Sequence, residues 1–299
     1  MNLTSDSTIL IQGITASCSA LYAGLKMKEY GTRVVACVHP GQDPQPVLNI
    51  PTFDLVKQAQ RAVGTIDISI IFTHPYQALD AALEAIAAGI RQLIIITEGM
   101  PPLDMVKLIR VAEMTETLLL GPNSSGIIVP GKLLLGTHPP ELYTPGNVGV
   151  IGRSSTLTYE VVMQLTQANQ GQSICVTVGS DVVIGSSLLQ WLQILDEDDT
   201  TDVIVLVGEV DGGDEIEAAS YIAEAIDKPV VAYIAGQFAT KTQMVSQVSN
   251  VMTSRIMTSM SSQKEYQTKI AQFKGAKIPI AQRPAQIPGL VKQALGQPR

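Results

Sequence analysis

At 299 residues the chain is long enough for two domains, each burying its own core. Apolar residues make up 45 % but charged residues only 16 %, against a usual ~25 %; so sparse a charge fits sheets buried on both faces and a subunit interface. A net charge of −7 and 4 % aromatic residues argue against nucleic acid, which needs a basic face and stacking platforms. Cys18, Cys37 and Cys175 are odd in number and in no metal-ligand spacing, so reduced thiols in a cytoplasmic protein, with no metal site, are the expectation. The start, Met-Asn-Leu-Thr-Ser-Asp-Ser, has no basic segment followed by an apolar stretch, so no signal peptide is expected. No apolar run reaches the ~18 residues of a spanning helix, so no membrane association is expected either.

Strand-length apolar runs at residues 8–12, 33–38, 66–73, 92–97 and 117–120 alternate with helix-patterned stretches at 18–30, 53–63, 77–88 and 103–114. Such alternation predicts right-handed βαβ units around a parallel sheet. Residues 126–146 break the rhythm with Pro130, Gly131, Pro139, Pro140, Pro145 and Gly146, which reads as a connector. The pattern restarts with strands at 147–151, 173–178, 202–207 and 229–234, and helices near 156–169, 186–195 and 214–226. A last βα pair covers 276–280 and 285–295. The reading is two open α/β domains, 1–125 and 147–299, joined by 126–146. The acidic run Asp196–Asp199 reads as a solvated loop or helix end.

Ligands of open parallel sheets bind beyond the carboxyl ends of the strands, where helices begin. The first such loop, Gln12-Gly13-Ile14-Thr15-Ala16-Ser17-Cys18-Ser19, offers a turn-forming glycine and three hydroxyls beside free N–H groups. The hydroxyls suit a phosphate, or simply cap the helix. An NAD site is disfavoured. The later glycines of the dinucleotide fingerprint are missing, and the second strand ends Val38-His39-Pro40-Gly41, with no acid for a ribose diol. Another phosphorylated nucleotide, such as coenzyme A, fits better. The second domain repeats the device in Gly152-Arg153-Ser154-Ser155-Thr156, where a helix start with roughly half a positive elementary charge stands beside an arginine. Gly179-Ser180-Asp181, Gly208-Glu209 and Gly212-Gly213 close further strands at the same edge.

Ile96-Thr97-Glu98-Gly99-Met100-Pro101, Gly121-Pro122-Asn123-Ser124-Ser125-Gly126, Arg153-Ser154-Ser155-Thr156-Leu157-Thr158-Tyr159-Glu160 and Lys228-Pro229-Val230-Val231-Ala232-Tyr233-Ile234-Ala235-Gly236 resemble, in order and spacing, the α subunit of succinyl-CoA synthetase. The resemblance runs from about residue 3 to residue 236, and the last βα pair also fits. It implies a Rossmann-like CoA-binding first domain, a flavodoxin-like second domain and a cytoplasmic ligase of the tricarboxylic acid cycle. Its partner would be a β subunit with an ATP-grasp nucleotide site that carries the nucleotide and Mg. Succinate or another small carboxylate would be joined to CoA. By position, the resemblance places Gly13, Thr15, Ser17, Gln42, Thr73, Ile96, Thr97, Glu98 and Asn123 in the CoA site. It places Ser154, Ser155 and Thr156 around the phosphoryl group, with Tyr159 and Glu209 bordering the catalytic centre.

The departures are chemical. Gln42 stands where the family usually has lysine, and Ala16 and Ser19 replace glycines. The family's phosphohistidine position falls, by an ungapped count, on Gln247, in a stretch 246–260 of helical composition. The only histidines are His39, His74 and His138. An amide nitrogen is not nucleophilic enough to take a phosphoryl group, whereas imidazole is. His39 and His74, at strand ends, read as pocket-edge or surface residues and His138 as solvated. The expectation is a ligase subunit without its own phosphohistidine. The alternatives are a non-catalytic CoA-binding regulatory or scaffold subunit (a pseudoenzyme) and an acyl- or carbamoyl-transfer enzyme that needs no phosphoenzyme.

Overall fold

The computed structural model describes residues 3–41, 45–209, 214–237 and 262–296. Two compact units divide the chain: Met1–Glu141 with Val176–Ser186, and Leu142–Cys175 with Ser187–Arg299.

The first unit carries β1 (Ile9–Gln12), β2 (Val34–Val38), β3 (Thr52–Phe53), β4 (Ile68–Ile71), β5 (Gln92–Ile95) and β6 (Leu118–Leu120). They pair in the order β3-β2-β1-β4-β5-β6, every pair parallel. Helices α1 (Cys18–Glu29), α2 (Val56–Val63), α3 (Ala78–Ala87) and α4 (Pro102–Met114) make the crossovers. With helices covering both faces, β1 and β4 are buried along their whole length, which is why their sequences are apolar runs and not alternations. The one polar residue in β1, Gln12, ties the layers together. Its amide donates to the Ala81 carbonyl of α3 (3.0 Å) and accepts from Ser69 Oγ of β4 (2.8 Å). A buried amide left unpaired would instead cost about 1–3 kcal/mol.

The second unit contains β9 (Pro145–Gly152), α5 (Ser155–Gln167), β10 (Gln172–Thr177), α6 (Leu188–Glu197), β11 (Val203–Gly208), α7 (Asp214–Ala225) and β12 (Val230–Ile234), then α8 (Ser262–Gly275), β13 (Ile280–Ala281) and α9 (Ile287–Gly296). Its strands follow the order β13-β12-β11-β9-β10, with β11 parallel to both neighbours. These are the Rossmann order 3-2-1-4-5-6 and the flavodoxin-like order 2-1-3-4-5, so the chain holds two doubly wound α/β folds. Ser187 starts α6 with a reciprocal capping box to Gln190, and Pro102 opens α4 at a position where a missing N–H costs nothing.

The structure departs from the sequence reading in three places. First, residues 126–146 hold a hairpin of β7 (Gly126–Val129) and β8 (Leu133–Gly136) where a connector was expected. Thr32 Oγ1 donates to the Leu134 carbonyl (2.8 Å) and so fastens β8 to the end of α1. Second, residues 176–186, the last two of β10 and the segment that follows, belong to the first unit. The acidic run Asp196–Asp199 does form a helix end, that of α6, where Asp196 Oδ1 accepts the backbone N–H groups of Asp227 and Lys228 (3.1 and 2.9 Å), and Asp198 accepts the Thr200 and Thr201 hydroxyls (2.8 and 2.6 Å).

The third departure is His138, which is not solvated but buried, with Nε2 3.0 Å from the Gly126 carbonyl of β7. Burial lowers its pKa from 6.5 to about 4, with the Gly126 bond opposing that shift. The unfolded chain therefore takes up this proton at higher pH than the folded one. The contribution is complete above pH 6.5 and is lost as pH falls through about 4, by about 3 kcal/mol. Urea titrations across this window are expected to show the loss, and His138→Gln, which keeps an N–H donor but cannot charge, should flatten it.

Candidate functional site

In doubly wound sheets the crevice opens where the strand order reverses. In the first unit that point lies between β1 and β4. Phe72 N–H donates to the Gln12 carbonyl (2.8 Å), and Gly13 follows with φ +80°. A Cβ on Gly13 would lie 2.8 Å from both the backbone nitrogen and Cγ2 of Thr73. The glycine thus serves the approach of two loops as well as the turn into α1.

The hydroxyls of this loop have separate duties. Ser17 is the N-cap of α1, its Oγ accepting from Ala20 N–H (3.1 Å) and lying 2.8 Å from Ser19 Oγ. Thr15 Oγ1 is 2.6 Å from His39 Nδ1, at the end of β2. From Thr73 a chain of bonds runs along the carboxyl edge. Thr97 Oγ1 donates to the Thr73 carbonyl (2.8 Å), and Asn123 N–H donates to the Thr97 carbonyl (2.9 Å). The Asn123 amide then donates to Ser180 Oγ (3.1 Å) and Asp181 Oδ1 (2.9 Å). Asn123 has φ +55°, a conformation asparagine tolerates better than most residues. Thr73 Oγ1 is buried with no hydrogen-bond partner. Gly13, Thr15, Ser17, Thr73, Thr97 and Asn123 thus share one edge. Ile96 instead points toward Gly136 of β8, and Glu98 stands exposed in its loop. Gln42 lies outside the described residues.

The reversal in the second unit lies between β9 and β11. Gly152 ends β9, where a Cβ would meet Thr158 Oγ1 at 2.0 Å; that hydroxyl donates to the Ser154 carbonyl (2.7 Å) and tightens the first turn of α5. Ser154 is the N-cap, but its side chain makes no capping bond. Its Oγ lies 3.3 Å from Thr156 Oγ1. This is the opposite of Ser17, whose hydroxyl is used up in capping. Arg153, 5 % exposed, donates its N–H to the Val207 carbonyl (3.2 Å) and pairs with Asp214 Oδ2 at 3.4 Å. Arg153 therefore ties the start of α5, with Ser154, Ser155 and Thr156, to the end of β11, where Glu209 follows. Tyr159 and Glu160 are half-buried in the first turns of α5. Burial holds the Tyr233 phenol above its ordinary range, with Tyr266 and Glu160 adding to the shift. Gln247 lies outside the described residues.

The family described as CoA binding domain matches residues 4–99, and the one described as CoA-ligase matches 151–272. Succinate–CoA ligase [ADP-forming] subunit alpha 2 of Archaeoglobus fulgidus is 38 % identical over 288 residues, 96 % of either chain. The corresponding alpha subunit of Aquifex aeolicus is 41 % identical over 236 residues, 78 % of this chain and 77 % of its own. This chain belongs to the succinate–CoA ligase α-subunit family. Among solved structures, Methanosaeta concilii ATP citrate lyase in complex with (3S)-citryl-CoA is similar in fold, with a TM-score of 0.82, 19 % identity, and coverage of 99 % of this chain and 50 % of that one. Candidatus Korarchaeum cryptofilum dinucleotide-forming acetyl-coenzyme A synthetase 1, in complex with phosphate and ADP, gives a TM-score of 0.69 at 22 % identity, covering 97 % and 59 %. The chain spans about half the length of these solved structures. Among the described residues, no helix is long and apolar enough to cross a membrane.

Within this α-subunit fold the second unit holds a pair that sequence reasoning missed. Lys269 of α8 and Glu215 of α7 are 1 % and 0 % exposed and form an ion pair of 2.8 Å. Together they grip the backbone of Glu209: its N–H donates to Glu215 Oε1 (3.1 Å) and its carbonyl accepts from Lys269 Nζ (2.7 Å). Gly208 makes room, since a Cβ there would lie 3.0 Å from Glu215 Cγ. Glu215 near the start of α7 is an ordinary helix-dipole carboxylate in sequence, and no local pattern names a partner 54 residues away. Removing one member leaves the other charge buried and alone. Lys269→Met is expected to lower unfolding free energy by about 3–5 kcal/mol in urea titrations, and adding Glu215→Gln should recover part of it.

Proposed function

We propose that this chain is the CoA-binding subunit of an acyl-CoA ligase whose phosphoryl group is never carried on a histidine of the chain itself. The observation behind this is the placement of imidazoles. His39, His74 and His138 all precede residue 142, and no histidine follows in the half that contains the Ser154–Thr156 helix start. His138 is buried against the hairpin, and the other two stand at the ends of β2 and β4.

In this reading Gly13, Thr15 and Ser17 face the phosphates of CoA, while Thr73, Thr97 and Asn123 lead toward its thiol, with the exposed Glu98 beside them. A β-like partner with an ATP-grasp site holds the nucleotide and Mg. There the carboxylate substrate, succinate or another small acid, attacks the terminal phosphorus of ATP and releases ADP. The thiolate of CoA then attacks the acyl carbon of the acyl phosphate, and inorganic phosphate leaves. The Arg153 charge and the uncapped start of α5, with Ser154, Ser155 and Thr156, suit the transferring or departing phosphoryl group. Glu209 and Tyr159 border it, and Gln247 takes no covalent part.

The test is incubation of the full chain with its β-like partner and terminally labelled ATP, the label being followed through acid. The expected result is acyl-CoA formation with no acid-labile label on this chain. Acid-labile label on this chain would contradict the proposal. Neither label nor turnover, with CoA still bound, would favour a regulatory or scaffold subunit.

A further inference from the structure

Three contacts close a triangle in front of α5. The Arg153 backbone N–H donates to the Val207 carbonyl of β11 (3.2 Å), and its guanidinium meets Asp214 Oδ2 at the start of α7 (3.4 Å). Glu215, the next residue of α7, accepts the Glu209 N–H just beyond β11 (3.1 Å). Successive residues of a helix point about 100° apart, so a single turn of α7 reaches both loops. Lys269 of α8 completes the grip, donating to Glu215 Oε2 (2.8 Å) and to the Glu209 carbonyl (2.7 Å). Stability alone does not call for such groups, since replacing a buried ion pair by well-packed apolar side chains is often neutral. An apolar pair, however, could not hold both the N–H and the carbonyl of one residue. What the charged groups add is a fixed placement of Glu209 and Arg153 relative to the start of α5.

We propose that the first turn of α7, locked by Lys269, is a positioning device for phosphoryl handling: Asp214 sets the Arg153 guanidinium, and the Glu215–Lys269 pair sets Glu209. The assignment rests on the function proposed above, in which Arg153 and Glu209 border the phosphoryl group at the start of α5. Asp214, Glu215 and Lys269 act through these two residues and not on the phosphoryl group itself. Groups of a site work only when their supports hold them to a fraction of an ångström. Loosening this turn therefore slows turnover while CoA binding, in the first unit, is untouched.

The experiment measures acyl-CoA formation by the full chain with its β-like partner over a range of CoA concentrations. Wild type is compared with Lys269→Met/Glu215→Gln and with Asp214→Asn, whose side chain is partly exposed. Urea titration and calorimetric titration with CoA establish that each variant is folded and binds. In both variants kcat should fall by about tenfold or more with KM for CoA within about twofold of wild type, because misplaced site groups act on the transition state. The loss in Lys269→Met/Glu215→Gln should largely vanish in a Glu209→Gln background, where the device has no carboxylate left to place. A folded variant of either kind with wild-type kcat, or with its loss in KM, overturns the proposal. So does a loss that simply multiplies that of Glu209→Gln. If Lys269→Met/Glu215→Gln does not fold, Asp214→Asn decides the outcome. Wild type that binds CoA but forms no acyl-CoA with the partner removes the function proposed above and this device with it.

Discussion

Where neighbouring parallel strands send their chains to opposite faces of a sheet, the diverging loops leave a crevice that no helix fills. That reversal occurs between β1 and β4 and again between β9 and β11. Each reversal is admitted by a glycine that ends or follows the strand, for different local reasons. At Gly13 the backbone of Thr73 comes too close for a Cβ, and at Gly152 the obstacle is the Thr158 hydroxyl that closes the first turn of α5. The candidate site residues of each unit are grouped because these two topological points collect them.

Polar groups concentrate at the same edges, in a chain otherwise sparing of charge. Gln12 bridges three elements below the first crevice, and the Lys269–Glu215 pair braces the strand end below the second. A buried ion pair is a weak source of net stability, because desolvating two charges offsets most of their attraction. Its value here is geometric: both hydrogen-bonding groups of the Glu209 backbone are held, one by each partner.

The two hydroxyl-rich loops look alike in sequence and behave differently in space. Ser17 uses its oxygen to cap α1, while Thr15 Oγ1 meets the His39 ring at the end of β2. Ser154 makes no capping bond, and its Oγ lies 3.3 Å from Thr156 Oγ1 at the start of α5, next to Arg153. Membership in the succinate–CoA ligase α-subunit family fits this division, with a CoA-binding domain followed by a CoA-ligase domain.

The alternation of strands and helices, the division into two open α/β domains and the two glycine-hydroxyl loops were legible in the amino-acid sequence. Each rests on interactions a few residues long: apolar runs, helix periodicity, caps and turn chemistry. The hairpin at 126–136 was not legible, because its Pro-Gly turn and short strands match a connector until Thr32 and Tyr30 are brought to meet it (Tyr30 OH accepts from Gly131 N–H at 2.7 Å). The burial of His138, the Asn123 link to Asp181, the two-residue strand β3 and the Lys269–Glu215 clamp were hidden for the same reason. In each the partners are distant in sequence, and neither residue carries a local mark of the other. The sequence by itself determined the main strands and helices of both sheets and which loops lie at their carboxyl edges. Only the tertiary structure decided which polar side chains meet there, because such pairings exist only once the chain has folded.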